Sequence, residues 1–157
     1  MYSDASYANL PDGGSQGGHL VFLSDANELC CPMAWHSTRI RRVVRSTLAA
    51  ETLALVDGLE TAYLMAKTVG EIISGEKEST IPIYCITDNK SLFDAVQTQK
   101  TINDKRLRVE ISMIREMVEN NEIHISWIKS GEQLADVLTK NGASSESLCR
   151  VLNIGHF

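Results

Sequence analysis

Polar and apolar residues alternate from Met1 to Asn9 with the two-residue period of a short strand. The run Leu10-Pro11-Asp12-Gly13-Gly14-Ser15-Gln16-Gly17-Gly18 breaks that pattern and predicts a loop, with residues 13–18 expected to be the flexible stretch of the chain. Leu20 to Ser24 predicts a second strand, Asp25 to Glu28 a turn, and Leu29 to His36 a third strand with Trp35 near its end. Short connections make an antiparallel three-stranded arrangement the economical one.

Beyond this the period changes. Ser46-Thr47 is a helix start, and Leu48, Leu55, Leu59, Ala62, Met65, Ala66, Val69 and Ile73 recur at helical steps, predicting a long central helix that ends near Ser74-Gly75. Glu51 falls in its first turns, where the helix dipole favours an anion. Ile81 to Ile86 is a short apolar run suited to a buried strand after a crossover helix. Asn89 to Val96 and Lys105 to Glu119 predict two helices, Ile123 to Ile128 a strand, and Leu134 to Lys140 and Ser145 to Leu152 short helices after a tight loop at Lys129 to Gln133. The order β-β-β-α-β-α-α-β-α implies an α/β fold: a five-stranded mixed sheet, three strands antiparallel and two parallel, flanked by helices. Ligands of such sheets gather at the carboxyl ends of the parallel strands, where Asp88 sits, and Asp4 joins it there if the first strand is central.

The 157 residues suit one domain, 1–157, and a globule of this size buries roughly 68–70% of its unfolded surface. No apolar run approaches the length of a membrane span, and no basic region followed by a hydrophobic stretch opens the chain, so neither a membrane protein nor a signal peptide is expected. The immediate start of the first strand reads as a segment of something longer. Cys30, Cys31, Cys85 and Cys149 lack metal-binding spacing and read as reduced structural thiols of an intracellular protein. The net charge of −5 argues against a general nucleic-acid binder, although Arg39, Arg41, Arg42 and Arg45, and then Lys100, Lys105, Arg106 and Arg108, concentrate positive charge locally. Either cluster has a plain reading as solvated surface.

Four carboxylates stand in four separate short motifs: Asp4 in Tyr2-Ser3-Asp4-Ala5-Ser6, Glu51 in Ala49-Ala50-Glu51-Thr52, Asp88 in Ile86-Thr87-Asp88-Asn89, and Asp136 in Leu134-Ala135-Asp136-Val137-Leu138. A fold that gathers all four concentrates negative charge, which is unfavourable unless divalent cations neutralise it. Hard oxygen ligands select ions such as Mg²⁺, so a magnesium-dependent phosphoryl-transfer site is the expectation. Taken singly, each carboxylate is an ordinary cap, turn or surface residue.

Taken in order, Ser3-Asp4-Ala5, Ser46-Thr47 with Ala50-Glu51, Thr87-Asp88-Asn89-Lys90-Ser91, and Glu132-Gln133-Leu134-Ala135-Asp136 with Leu138-Thr139-Lys140 resemble the ribonuclease H domain of copia-type (Pseudoviridae) retrotransposon polyproteins. The four carboxylates are separated by 47, 37 and 48 residues, and the similarity runs over nearly the whole chain. The resemblance implies an endonuclease that hydrolyses the RNA strand of RNA–DNA hybrids during reverse transcription, with two Mg²⁺ ions, replaceable by Mn²⁺, held by the carboxylate quartet. Asp4 would bridge the ions, Glu51 and Asp88 would complete the leaving-group side, and Asp136 would hold the ion on the nucleophile side. It also implies an adjacent reverse transcriptase domain as partner, and residence in a cytoplasmic retroelement particle or the nucleus. Ser6 and Asn89 are polar residues suited to sensing the hybrid beside the metals, Thr52 is another of suitable type, and Arg39, Arg41, Arg42 and Arg45 are candidates to grip the DNA strand.

Two departures from the wider ribonuclease H pattern stand out. The loop Lys129 to Gln133 lacks the histidine that aids product release in many cellular members, so slow turnover is expected. Only Gln99-Lys100-Thr101 stands where those members insert a basic protrusion, so affinity for substrate would depend on neighbouring domains. A different class of reading is a catalytically silent module of the same fold kept for protein contacts; another is a DNA nuclease or strand transferase.

Overall fold

The computed structural model describes residues 1–98 and 102–157, so the segment 99–101 that stands in place of a basic protrusion lies outside the described residues. Strands β1 (Tyr2–Ser6), β2 (Ser15–Ser24) and β3 (Cys30–Ile40) form an antiparallel meander. Helix α1 (Thr47–Ser74) then crosses the sheet and returns the chain to β4 (Ile83–Thr87), which lies parallel to β1. Helices α2 (Lys90–Gln97) and α3 (Lys105–Glu119) lead to β5 (Ile123–Trp127), parallel to β4. Two 3₁₀ turns, Ser130–Glu132 and Leu134–Leu138, and the terminal helix α4 (Glu146–Ile154) complete the chain. The strand order is β3-β2-β1-β4-β5, which makes β1 central, as the gathering of Asp4 with Asp88 requires.

Side chains alternate across the sheet and divide the core in two. On one face Val21, Ile83, Cys85, Ile123 and Ile125 pack against Leu55, Leu59, Ala62 and Ala66 of α1, Leu92 and Val96 of α2, and Ile114 of α3. On the other, Leu20 meets Leu134, Ala135 and Val151, with Tyr2, Phe22 and Phe157 in mutual ring contact beside them. The C-terminus is pinned to β3, where the Cys30 amide donates to the Gly155 carbonyl at 2.8 Å. Pro32 is tolerated in β3 because that strand is an edge and the register shifts there, between Val21 and Phe22. Trp35, near the predicted end of the third strand, is 70% exposed on this edge rather than in the core.

Three features differ from the sequence expectation. Residues 15–18 are not loop but the largely buried start of β2, of which 16–18 pair with β1 from Asp4↔Gly18 to Ser6↔Gln16. Glycine stands there because other elements approach closely: a Cβ on Gly18 would lie 2.7 Å from Leu138 Cβ, and one on Gly17 would lie 3.3 Å from Ala54 Cβ. Strand β3 runs four residues past His36 to Ile40, on an edge whose mostly exposed side chains carry little hydrophobic signal. The segment carrying Asp136 is a 3₁₀ turn rather than an α-helix. Glu51 lies in the first turns of α1, as expected, and Ser46 caps that helix by accepting from the Ala49 amide.

Candidate active site

Asp4 sits in the central strand, opposite Gly18 of β2, where the absence of a side chain lets the turn at residues 138–139 lie directly over the strand. Asp88 follows β4 immediately, and its carbonyl accepts from Trp127 Nε1 at 2.9 Å, which ties that corner to the end of β5. Asp136 is placed by its 3₁₀ turn, whose start is anchored by Gln133: Nε2 donates to the Ser3 carbonyl at 3.0 Å while Oε1 accepts from the Ala135 amide at 3.2 Å. Oxygen atoms of Asp4, Asp88 and Asp136 come within 4.8 Å of one another.

Glu51 faces the same charge from α1. Burial foremost, then the charges of Asp4 and Asp88, pushes its carboxyl up from 4.5 to about 9, against the weaker opposing effects of Lys140 and the Asn89 side chain. Its position one turn into the helix leaves the dipole too little influence to offset burial at 4% exposure. Asp136 is likewise held above the ordinary aspartate range, by burial first and by Asp4 and Asp88 in addition.

Lys140 closes the cluster. Its Nζ hydrogen-bonds Asp136 Oδ1 at 2.7 Å and lies 3.2 Å from Asp4 Oδ1, while the Thr139 hydroxyl donates to Asp4 Oδ2. Burial disfavours the ammonium, but the Asp136 hydrogen bond and the charges of Asp4 and Asp136 outweigh it and hold Lys140 above the usual lysine range. Thr139, Lys140, Gln133 and Trp127 have roles here that the spacing of carboxylates does not reveal. The first three stand within the motif around Asp136, which is the signal that could have found them; Trp127 has none.

The donor set fits hard divalent cations. Every ligand is a carboxylate oxygen; Glu51 Oε2 is buried without a hydrogen bond, and buried Asp4 Oδ1 has only the Lys140 ammonium at 3.2 Å, so both have lone pairs that a divalent cation would take. Ser6 is buried, its hydroxyl unpartnered, in the wall of a cavity of about 200 Å³ shared with Gln16, Leu138, Thr139 and Lys140. Asn89 caps α2 by accepting from the Leu92 amide at 2.9 Å and also faces Glu51, so it serves helix and site together. Thr52 is buried and donates to the Leu48 carbonyl, within its own helix.

The arginines separate. Arg39 pairs with Asp12 across the β1–β2 connection, and Arg42 pairs with Glu110 of α3 at 2.5 Å. Arg41 and Arg45 are exposed. Arg42 and Arg45 nevertheless join Lys105 and Arg106 around one cavity of about 440 Å³ between the start of α1 and the start of α3, so the fold merges two basic segments that are far apart in the chain.

This architecture is the ribonuclease H fold. The chain superimposes on ribonuclease H1 from the halophilic archaeon Halobacterium salinarum with a TM-score of 0.60 at 19% identity, covering 95% of this chain and 96% of that one. It matches LC11 ribonuclease H1, from a compost metagenome and solved with an RNA/DNA hybrid, with a TM-score of 0.63 at 17% identity over 94% and 96% of the two chains. No family model matches the sequence. Among curated proteins it is similar to the Ty1-ER2 and Ty1-DR5 Gag-Pol polyproteins of Saccharomyces cerevisiae, each 25% identical, over 89% and 88% of the chain respectively. The chain spans 8% of the length of those relatives. The chain thus has the ribonuclease H fold and is similar in sequence to a segment of copia-type retrotransposon polyproteins.

Proposed function

We propose that this domain is a divalent-metal-dependent endonuclease that cuts the RNA strand of RNA–DNA hybrids. The observation that carries the proposal is the convergence of Asp4, Asp88 and Asp136 on one point with Glu51 buried beside them, from four separate elements. Nothing in the packing of the core demands four carboxylates there, and without divalent cations their crowding is relieved by the Lys140 ammonium and by the proton that Glu51 retains. Asp4, Glu51, Asp88 and Asp136 would hold two Mg²⁺ or Mn²⁺ ions, with Asp4 shared, Glu51 and Asp88 toward the leaving group and Asp136 toward the nucleophile. Such a pair supplies an activated water on one side of the phosphate and stabilises the leaving 3′ oxygen on the other.

The protein's own part is positioning. Trp127 fixes the turn carrying Asp88, Gln133 fixes the turn carrying Asp136, and Thr139 orients the Asp4 carboxylate. Lys140 competes for the oxygens that a cation would take and keeps Asp4 and Asp136 together until one arrives. Ser6, which shares a cavity with Thr139 and Lys140, and Asn89, which faces Glu51, would sense the sugar edge of the hybrid, and Arg42, Arg45, Lys105 and Arg106, around a cavity that also holds Asp104 and Glu110, would meet a phosphodiester backbone together with Arg39 and Arg41. With a net charge of −5, a lasting grip on substrate would come from a neighbouring reverse transcriptase domain of the same polyprotein, in a cytoplasmic particle or the nucleus.

Cleavage of a labelled RNA–DNA hybrid with Mg²⁺ or Mn²⁺, compared with Asp88→Asn, tests the reading. Hybrid cleavage by the wild type and none by the variant supports it; identical traces refute it, and preferred cutting of duplex DNA selects a related nuclease. One feature favours a catalytically silent connector instead: the Lys140 ammonium already compensates Asp4 and Asp136. Failure of Mn²⁺ to bind the wild-type chain would select that reading.

A further inference from the structure

On the opposite face of β2 from the contact made at Gly18, three ligating side chains meet that the carboxylate centre does not use. His19 and His36 are cross-strand neighbours in the β2–β3 register, and Asp57 descends on them from α1. Gly58 permits that approach: a Cβ there would stand 2.6 Å from Met1 Sδ and 3.1 Å from His19 Cβ, so a larger residue would crowd the His19 side of the group. One oxygen, Asp57 Oδ2, lies 3.4 Å from His19 Nδ1 and 3.2 Å from His36 Nδ1. The two rings have centroids 5.5 Å apart and an interplanar angle of 55°, which points both edges at the carboxylate instead of stacking them.

These spacings suit a metal at least as well as hydrogen bonds. The His36 contact at 3.2 Å is within hydrogen-bond range, whereas 3.4 Å is long for an N–H···O bond, which prefers about 2.9–3.0 Å. A tetrahedral ion with bonds of about 2.0–2.1 Å to nitrogen and oxygen holds its ligands about 3.3 Å apart, close to both contacts. The His19 side chain is only 3% exposed whereas those of His36 and Asp57 are half exposed, so the group has a buried anchor and an open, solvent-facing side where water completes the shell.

We propose that His19, His36 and Asp57 form a second metal site, specific for a borderline transition ion of the Zn²⁺ class and chemically distinct from the all-oxygen carboxylate centre. Two imidazoles and one carboxylate select Zn²⁺, Co²⁺ or Ni²⁺ over Mg²⁺. Asp57 lies six residues beyond Glu51 on α1, about 9 Å of helix rise, so the two centres occupy different positions and load independently. A bound ion would clasp β2, β3 and α1 together.

The test is a Co²⁺ titration of the untagged 157-residue chain in excess Mg²⁺, read by visible d–d absorption, followed by displacement with Zn²⁺. One equivalent should develop the band in the wild type and in Asp88→Asn. His36→Ala and Asp57→Asn alter half-exposed side chains and retain the fold, checked by far-ultraviolet circular dichroism. Each should weaken Co²⁺ at least as much as loss of an outer-shell partner does, about 10- to 100-fold. Absence of a band in the wild type means that the trio is hydrogen-bonded only and overturns the proposal. Retention of the band in both His36→Ala and Asp57→Asn, or its loss in Asp88→Asn, places the ion elsewhere and overturns it equally. Hybrid cleavage plays no part in the readout, so failure of this site leaves the carboxylate reading untouched.

Discussion

Replacing Glu51 by glutamine should stabilise the metal-free protein, although Glu51 is a proposed metal ligand. The carboxyl is 4% exposed and pushed up from 4.5 to about 9, with burial the largest cause and Asp4 and Asp88 adding to it. Between these values the folded chain holds a proton that the unfolded chain has lost. Stability attributable to Glu51 is therefore complete below about pH 4.5 and falls as pH rises toward 9, by at most about 1.4 kcal/mol per pH unit. The neutral amide of Glu51→Gln would resemble the protonated acid at every pH and remove that loss. The advantage of the variant should grow by up to about 2.7 kcal/mol across two pH units within this window. Burial holds His19 and the Met1 amine below their ordinary 6.5 and 8.0, so they act in the opposite sense, and the wild-type slope alone is a sum. The difference between wild type and variant cancels those contributions. Urea unfolding in EDTA at about pH 6.5, 7.5 and 8.5 supplies it, and saturating Mg²⁺ should reverse the order by stabilising the wild type more. A stability gap that stays constant with pH, or a variant that is less stable throughout, would refute the assignment of a buried, charge-crowded Glu51.

Other outcomes follow from the same geometry. Gly18→Ala places a Cβ 2.7 Å from Leu138 Cβ and 3.0 Å from Thr139 Cγ2, so urea unfolding should register about 1–3 kcal/mol of destabilisation, together with reduced hybrid cleavage as the Asp136 turn is displaced. Leu55→Ala empties a fully buried position of α1 and should cost about 2–5 kcal/mol by the same measurement. Lys140→Gln should lower stability in EDTA and tighten Mn²⁺ binding by calorimetry, because the competing ammonium is gone; weaker binding would contradict its role as a competitor. Neutralising Arg41 and Arg42 together should weaken hybrid binding and flatten its salt dependence, whereas an unchanged slope would reduce them to surface charge.

Much of the site is legible in the chain alone. Asp4, Asp88 and Asp136 stand out because each follows or sits in a recognisable element, and their order along the chain supplies what no single motif can. The glycine run misleads for a physical reason: glycine marks both loops and close approaches, and only the turn that lies over Gly18 distinguishes the two. The end of β3 escapes a periodicity reading because exposed edge residues carry no burial pattern. Arg39 and Arg42 look equivalent in sequence, yet Asp12 and Glu110 claim them through contacts 27 and 68 residues away.

By itself the sequence determined the periods, and hence the elements, their order and the chemical type of each candidate ligand, since these depend on neighbours a few residues apart. The tertiary structure alone decided what depends on distant segments: the central place of β1, the pairing of Lys140 with Asp4, the raised carboxyl of Glu51, the merging of two basic segments, and the meeting of His19, His36 and Asp57. Charge, desolvation and coordination act through space over a few ångströms, and chain spacing does not encode which atoms the fold brings within that reach.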